Sequence, residues 1–579
     1  MPSHKSLENT NNDTEANEPD DTIYDRLALD SLRLSDTTDS GDTFSLANRW
    51  IDECMEKHPA CSHSIDASWH PTRLLNIRYS VEKQESLVYL VESNIVIPSG
   101  PYMTLSHSWG KGHMMTLTKG SYNTLLQGIP LSSLPPTFRD ACSISQLLGV
   151  QYLWIDALCI FQDKDDLSDW RREASLMNKV YSFSYCNIVA ADNGNSSQPI
   201  FRKRDPKELN PPTTEALVQT GPLHSSVPTE RCIIDYLGYL KPVDDAHINT
   251  RGWVMQERFM SPRGLHFGTK QVYWECRQTI ASGTNPDGLE IYRDGIPFKR
   301  LTETSRAISS WPSLVMRYSE CALSFPSDKL VAFSAIARLY ASSLSDEYVA
   351  GMWRGQLRLH SLWKVDSSAM SEHTRYKTYT APTWSWASIQ GRVLMTAYDS
   401  DTVEYLYEVE DHKLEYATKD RMGAIRAGWL RLSGHLIKLK LLWKGPGRTN
   451  MWSLVINNVE YGPLKYTGGR TGGISASLWL DEAPLDPNAE TEGGSLYCML
   501  TRHHLFDEVG DRCNMWDFLL FRLVDATRGT FRRIGLARTR TGDVDNPYLA
   551  GNLVHGPLEQ PSLLPCAAYE DGFHSIYVI

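Results

Sequence analysis

Tyr102-Met103-Thr104-Leu105-Ser106-His107-Ser108-Trp109-Gly110 and Tyr152-Leu153-Trp154-Ile155-Asp156 each set a short apolar run directly before polar residues. Runs of this length and composition read as buried strands, the first over Tyr102 to Ser106 and the second over Tyr152 to Ile155. Between them Pro135 and Pro136 open a helix in which Phe138, Ala141, Ile144, Leu147 and Leu148 share a face, and Gly149 suits its C-terminal cap. A second helix starts near Ser168 or Asp169, carries Trp170, Met177 and Tyr181 on one stripe, and leads to a strand at Cys186 to Ala191. The pattern is βαβαβ. Such alternation predicts parallel strands whose carboxyl ends meet one edge of the sheet, where open α/β sheets bind ligands. His107, Ser108, Asp156 and Asp192 fall just past those ends, so the sequence predicts a crevice lined by them.

Working outward, residues 1–45 are polar and apolar-poor and read as a disordered acidic tail. Residues 46–280 form the α/β unit, with a Pro-rich surface excursion at 203–248 inserted in it. After it, Trp253 to Met260 predicts a short helix ended by Ser261-Pro262, and Leu265 to Phe267 with Val272 to Glu275 predicts a hairpin. Residues 281–395 are helical and Trp-rich, and 396–579 alternate as an antiparallel β domain does, as in Ile437-Lys438-Leu439-Lys440-Leu441. Trp154, Trp253 and Trp384 read as core.

The chain has 579 residues, too many for one core, and its 41% hydrophobic content excludes wholesale disorder. Its net charge of -11 is uneven: residues 1–45 hold eleven acids and three bases, which leaves the body near neutral. A near-neutral body argues against nucleic acid as a partner, and no apolar run is long enough to span a membrane. Eleven scattered cysteines predict reduced thiols and a cytoplasmic protein rather than a disulfide framework.

Three blocks together resemble the fungal heterokaryon incompatibility (HET) domain: Tyr102 to Gly110, Tyr152 to Asp163, and Arg251-Gly252-Trp253-Val254-Met255-Gln256-Glu257-Arg258. His107 stands where that family commonly has Tyr. The resemblance implies a protein of fungal nonself recognition, acting with protein partners in incompatibility-triggered growth arrest or cell death. The remote likeness of HET domains to TIR domains, some of which cleave NAD, implies a TIR-like core. It also leaves an enzyme as the alternative, hydrolysing NAD(P) or another nucleotide or tailoring a small molecule of secondary metabolism.

Asp156, Glu257 and Glu173 are the candidate catalytic residues, because a carboxyl at a partly desolvated strand end can be tuned into a general acid or base. Each has a structural alternative: Asp156 can cap the next turn or pair with Arg251, Glu173 can face solvent, and Glu257 can join a buried network with Gln256 and Arg251. Gly110, Lys111 and Gly112 are candidate cofactor-binding residues, since amides and an ammonium after a strand suit a phosphate, the alternative being a plain turn. Cys159 reads as a packed, inert thiol. Cys54-x3-His58-x2-Cys61 offers soft ligands at metal spacing, but no second Cys pair lies nearby to complete a standard zinc module, so no metal is assigned. The sequence identifies no cofactor and no oligomeric state.

Overall fold

The structure is a computed structural model. It describes residues 34–62, 69–110, 114–209, 213–219, 226–232, 241–289, 304–366, 374–396, 403–443, 452–457, 459–463, 475–482, 496–508, 511–541 and 563–579. Residues 1–33 of the expected tail, and Lys111 and Gly112, lie outside them. Helix α1 (Gly41–Lys57) begins inside the stretch read as tail: Ser40 Oγ accepts from the Thr43 amide, and Phe44, Ala47, Trp50, Ile51 and Cys54 form its buried stripe. A single turn, α2 (Pro59–Ser62), follows, and then a hairpin of β1 (Arg73–Ser80) and β2 (Glu85–Glu92).

The expected alternation comes next: β3 (Tyr102–Ser106), α3 (Pro136–Leu147), β4 (Tyr152–Trp154), α4 (Ser168–Ser182) and β5 (Asn187–Ala190). Then come α5 (Gly252–Met260), β6 (Arg263–Phe267), β7 (Val272–Cys276), β8 (Ile280–Ser282) and β9 (Asn285–Leu289). All these strands join one sheet in the order β9-β8-β7-β6-β5-β3-β4-β1-β2, with Ile129–Pro130 at the far edge. The centre is parallel: β3 pairs with β4 and β5, and β5 with β6. The β6–β7 hairpin was legible in the sequence, but β6 is also the fourth parallel strand. Strands β3 to β7 are buried along their whole length, as strands covered on both faces must be. Trp154, 1% exposed, is core as expected, whereas Trp253 is only half-buried and meets Trp170 edge-on.

Part of the 203–248 excursion is sheet after all. Thr213–Gln219 pairs antiparallel with Ser226–Cys232 as a separate two-stranded ribbon. The helical region carries α6 (Thr304–Ser319) and α7 (Lys329–Leu344), and α7 packs on α5. The Trp311 ring centroid lies 5.0–5.1 Å from those of Trp353, Phe333 and Tyr340. The last part is a large, mainly antiparallel sheet in which Leu439 and Leu441 are buried and Lys438 and Lys440 exposed, as the alternation predicts. One continuous core runs from α1 through the helical region to this sheet. The architecture is mixed α/β with a parallel centre and a β-rich C-terminal part.

Candidate functional site

The carboxyl ends of β3 and β4 meet the start of α5, and the polar side chains there form a buried group. Ser106, the last residue of β3, donates from Oγ to Glu257 Oε2 at 2.5 Å and accepts from Asn187 Nδ2 at 2.9 Å. Asn187 in turn accepts from Thr104 Oγ1 at 3.0 Å, and the Tyr181 hydroxyl interacts with the Glu257 carboxyl. Parallel pairing of Thr104 with Asn187 brings these residues together, because alternate residues of a strand face the same side. Ser106, Tyr181 and Asn187 are each at most 1% exposed and Glu257 is 5% exposed.

Burial decides the charge state of Glu257. Loss of solvent pushes its carboxyl up to about 7, helped by the nearby Asp156 charge and opposed by Arg251, Ser106 and Tyr181. His107 moves the other way: burial lowers it to about 4, Asp156 opposing and Arg251 reinforcing. Its ring is therefore neutral near pH 7, so the 3.6 Å approach of Nδ1 to Asp156 Oδ1 is no ion pair. His107 Nε2 is buried with no hydrogen-bond partner among the described residues, and the ring meets Phe138 edge-on at 4.9 Å.

Asp156 sits at the rim with its side chain 22% exposed. Both its oxygens are engaged, one by Trp109 Nε1 at 2.9 Å and one by the Ala157 amide at 2.7 Å. It does not cap the next turn: Asp156 is the first residue of the single turn Asp156–Cys159, whose N-cap is Ile155, and among the described residues no side chain caps it. The pairing of Asp156 with Arg251 weighed from the sequence is replaced by a different bond, in which Arg251 Nη1 donates to the His107 carbonyl. Glu257 joins a buried network, but through Ser106 and Tyr181 more than through Gln256.

Glu173 corrects the expectation of solvent exposure: it is 2% exposed and accepts from Arg172 Nε at 3.0 Å. Among the described residues no hydrogen bond links it to Ser106, Asp156 or Glu257. Its charge instead acts on Arg73, which pairs with Asp169 at 2.6 Å. Cys159 is packed as expected, and burial pushes its thiol up to about 12, which removes it as a nucleophile.

Gly110 adopts φ +69°, and a Cβ there would lie 2.3 Å from Asn195 Cβ. Its backbone is pressed against the loop after β5. Gly110→Ala should cost about 1–3 kcal/mol, read as a lowered melting temperature, because the left-handed backbone is strained for any side chain. Ser106 and Asn187 are not marked by any catalytic motif, and their signal in the sequence is a polar side chain inside an otherwise apolar strand run.

A mixed-sheet α/β domain with a parallel centre and a buried serine–carboxyl pair at a strand end is the class these features define. Within it, residues 102–257 match the model of the family described as "Heterokaryon incompatibility protein (HET)", which bears out the resemblance read from the three blocks. The matched stretch contains every member of the Ser106–Glu257 group. No curated protein and no solved structure gave a match.

Proposed function

We propose that the chain is a heterokaryon-incompatibility-type effector of fungal nonself recognition, triggering growth arrest or cell death in the cytoplasm through protein partners. The observation that supports this reading is the family match over residues 102–257, which spans the whole buried polar group rather than a fragment of it. Inducible expression in a fungal host is expected to slow growth or kill cells. Normal growth at high expression of folded protein would count against it.

A second reading, an enzyme at the same strand ends, is favoured by one observation. Glu257, pushed up to about 7, lies against a serine hydroxyl, a pairing suited to passing a proton near neutral pH. A TIR-like descent of the βαβαβ core would make the substrate NAD(P) or another nucleotide, and a metabolic role would make it a small secondary metabolite. Incubating the purified protein with nucleotides and fungal metabolites, and following turnover by mass spectrometry, tests this reading. A panel that yields no product argues for the non-enzymatic effector.

A further inference from the structure

We propose that Cys54, His58, Cys61 and Cys276 form a structural zinc site that clamps α1 and α2 to the end of β7. The first three come from one turn of chain. Cys54 lies in the last turn of α1, His58 is its C-cap residue, and Cys61 lies in α2, held by its amide's 2.9 Å bond to the His58 carbonyl. The fourth comes from the end of β7, more than two hundred residues on. One ligand atom from each residue lies within 4.8 Å of all the others. Tetrahedral zinc with sulfur ligands at about 2.3 Å and nitrogen at about 2.0–2.1 Å separates its donors by roughly 3.5–3.8 Å. His58 Nδ1 is already 3.4 Å from Cys276 Sγ, so small side-chain rotations complete the tetrahedron.

The surroundings also suit a bound cation. His58 Nε2 lies 3.2 Å from Thr279 Oγ1, whose hydroxyl oxygen can accept from an Nε2–H when Nδ1 ligates. The amides of Gln278 and Thr279 point at Cys276 Sγ from 3.4 and 3.2 Å, as amides do around a ligating thiolate. Arg263 is fully buried, its Nη1 stands 3.9 Å from Cys54 Sγ, and its Nη2 has no hydrogen-bond partner among the described residues. Three thiolates, a neutral imidazole and Zn2+ sum to one negative charge, which the Arg263 guanidinium balances. On binding, the thiol protons leave to solvent and no other reactant is needed.

A disulfide accounts for less. It would engage two of the three sulfurs and leave the third, the imidazole and the amides unexplained. Four protein donors of S3N type leave no open position, so the site is structural and selects zinc over harder ions. Its position explains what it would hold together. Trp50 of α1 stacks on Trp274 of β7 with ring centroids 6.2 Å apart, and Trp50 Nε1 donates to the Pro286 carbonyl at 2.7 Å. The cluster lies outside the family-matched stretch, so it is independent of the functional reading above.

The test begins with elemental analysis of the full chain purified without chelators, where one zinc ion per chain is expected. Cobalt exchanged into the site should show a thiolate-to-cobalt charge-transfer band and the visible bands of a tetrahedral ion. Cys276→Ser should lose the metal, although Cys276 is distant in sequence from the Cys54–Cys61 turn. Should that variant fail to fold, His58→Cys decides the matter, because a fourth thiolate must raise the charge-transfer intensity while the metal is kept. A folded wild-type chain that takes up neither zinc nor cobalt, a metal content unchanged in folded Cys276→Ser, or an unchanged cobalt spectrum in His58→Cys would overturn the proposal.

Discussion

Arg258→Ala should destabilise the fold by about 3–5 kcal/mol, the range for breaking a buried ion pair by removing one partner. Arg258 is 5% exposed and grips Glu275 with two bonds of 2.8 Å, Nε to Oε2 and Nη2 to Oε1. Its Nη2 also lies 2.8 Å from Asp244 Oδ1. Removing the guanidinium takes the two-bond partner from the Glu275 carboxylate, which is 1% exposed and 3.3 Å from His266 Nε2, and leaves it near the Asp244 carboxylate. Arg258→Lys should recover only part of the loss, since an ammonium cannot reproduce the planar fork. The double change Arg258→Met with Glu275→Leu should recover more than Lys does, because an apolar pair needs no charge compensation. Denaturant titration measures all three, and a loss below about 1 kcal/mol in Arg258→Ala would show that the pair is effectively solvated.

Consecutive residues of α5 point about 100° apart, so Glu257 faces the strand ends while Arg258 faces β7. The sequence singled out Glu257 and passed over Arg258, because the partner that makes Arg258 important, Glu275, lies on a neighbouring strand of the sheet. Locally encoded features were legible: strands β3, β4 and β5 from apolar runs closed by polar residues, and α3 from its Pro-Pro entry and Gly149. Features set by distant partners were not. Cys276 lies too far along the chain to be counted with Cys54, His58 and Cys61. Glu173 stands three residues after Trp170 and four before Met177, on the buried stripe of its helix, beside Arg172 and near Arg73 of β1. The ribbon within 203–248 was hidden by its prolines, although Pro228 is tolerable in a strand of an isolated two-stranded ribbon, where both strands are edges.

Glu257→Gln should separate chemistry from packing. The Glu257 carboxyl rises from 4.5 to about 7 on folding, so the folded protein holds a proton that the unfolded chain releases between those values. Its contribution to stability is therefore fully present below about pH 4.5 and is lost as pH climbs to 7, by about 3 kcal/mol in all. His107, lowered to about 4, acts in the opposite sense, adding stability as pH rises toward its unfolded value of 6.5. Wild type alone would thus show a blurred profile. The difference between wild type and Glu257→Gln cancels His107 to first order, since both chains carry it. A glutamine keeps an oxygen to accept from Ser106 and Tyr181 and never ionises. The two proteins should match within about 1 kcal/mol at pH 4, and the variant should be the more stable by up to about 3 kcal/mol at pH 8. Parallel denaturation curves across that range would mean Glu257 is not held neutral by burial. If growth arrest or turnover disappears in a variant that has become more stable above pH 7, the carboxyl moves a proton, because a packing lesion lowers stability and activity together. If activity survives intact in that stable variant, Glu257 serves to hold β3 against α5, and the acid–base reading of the site falls.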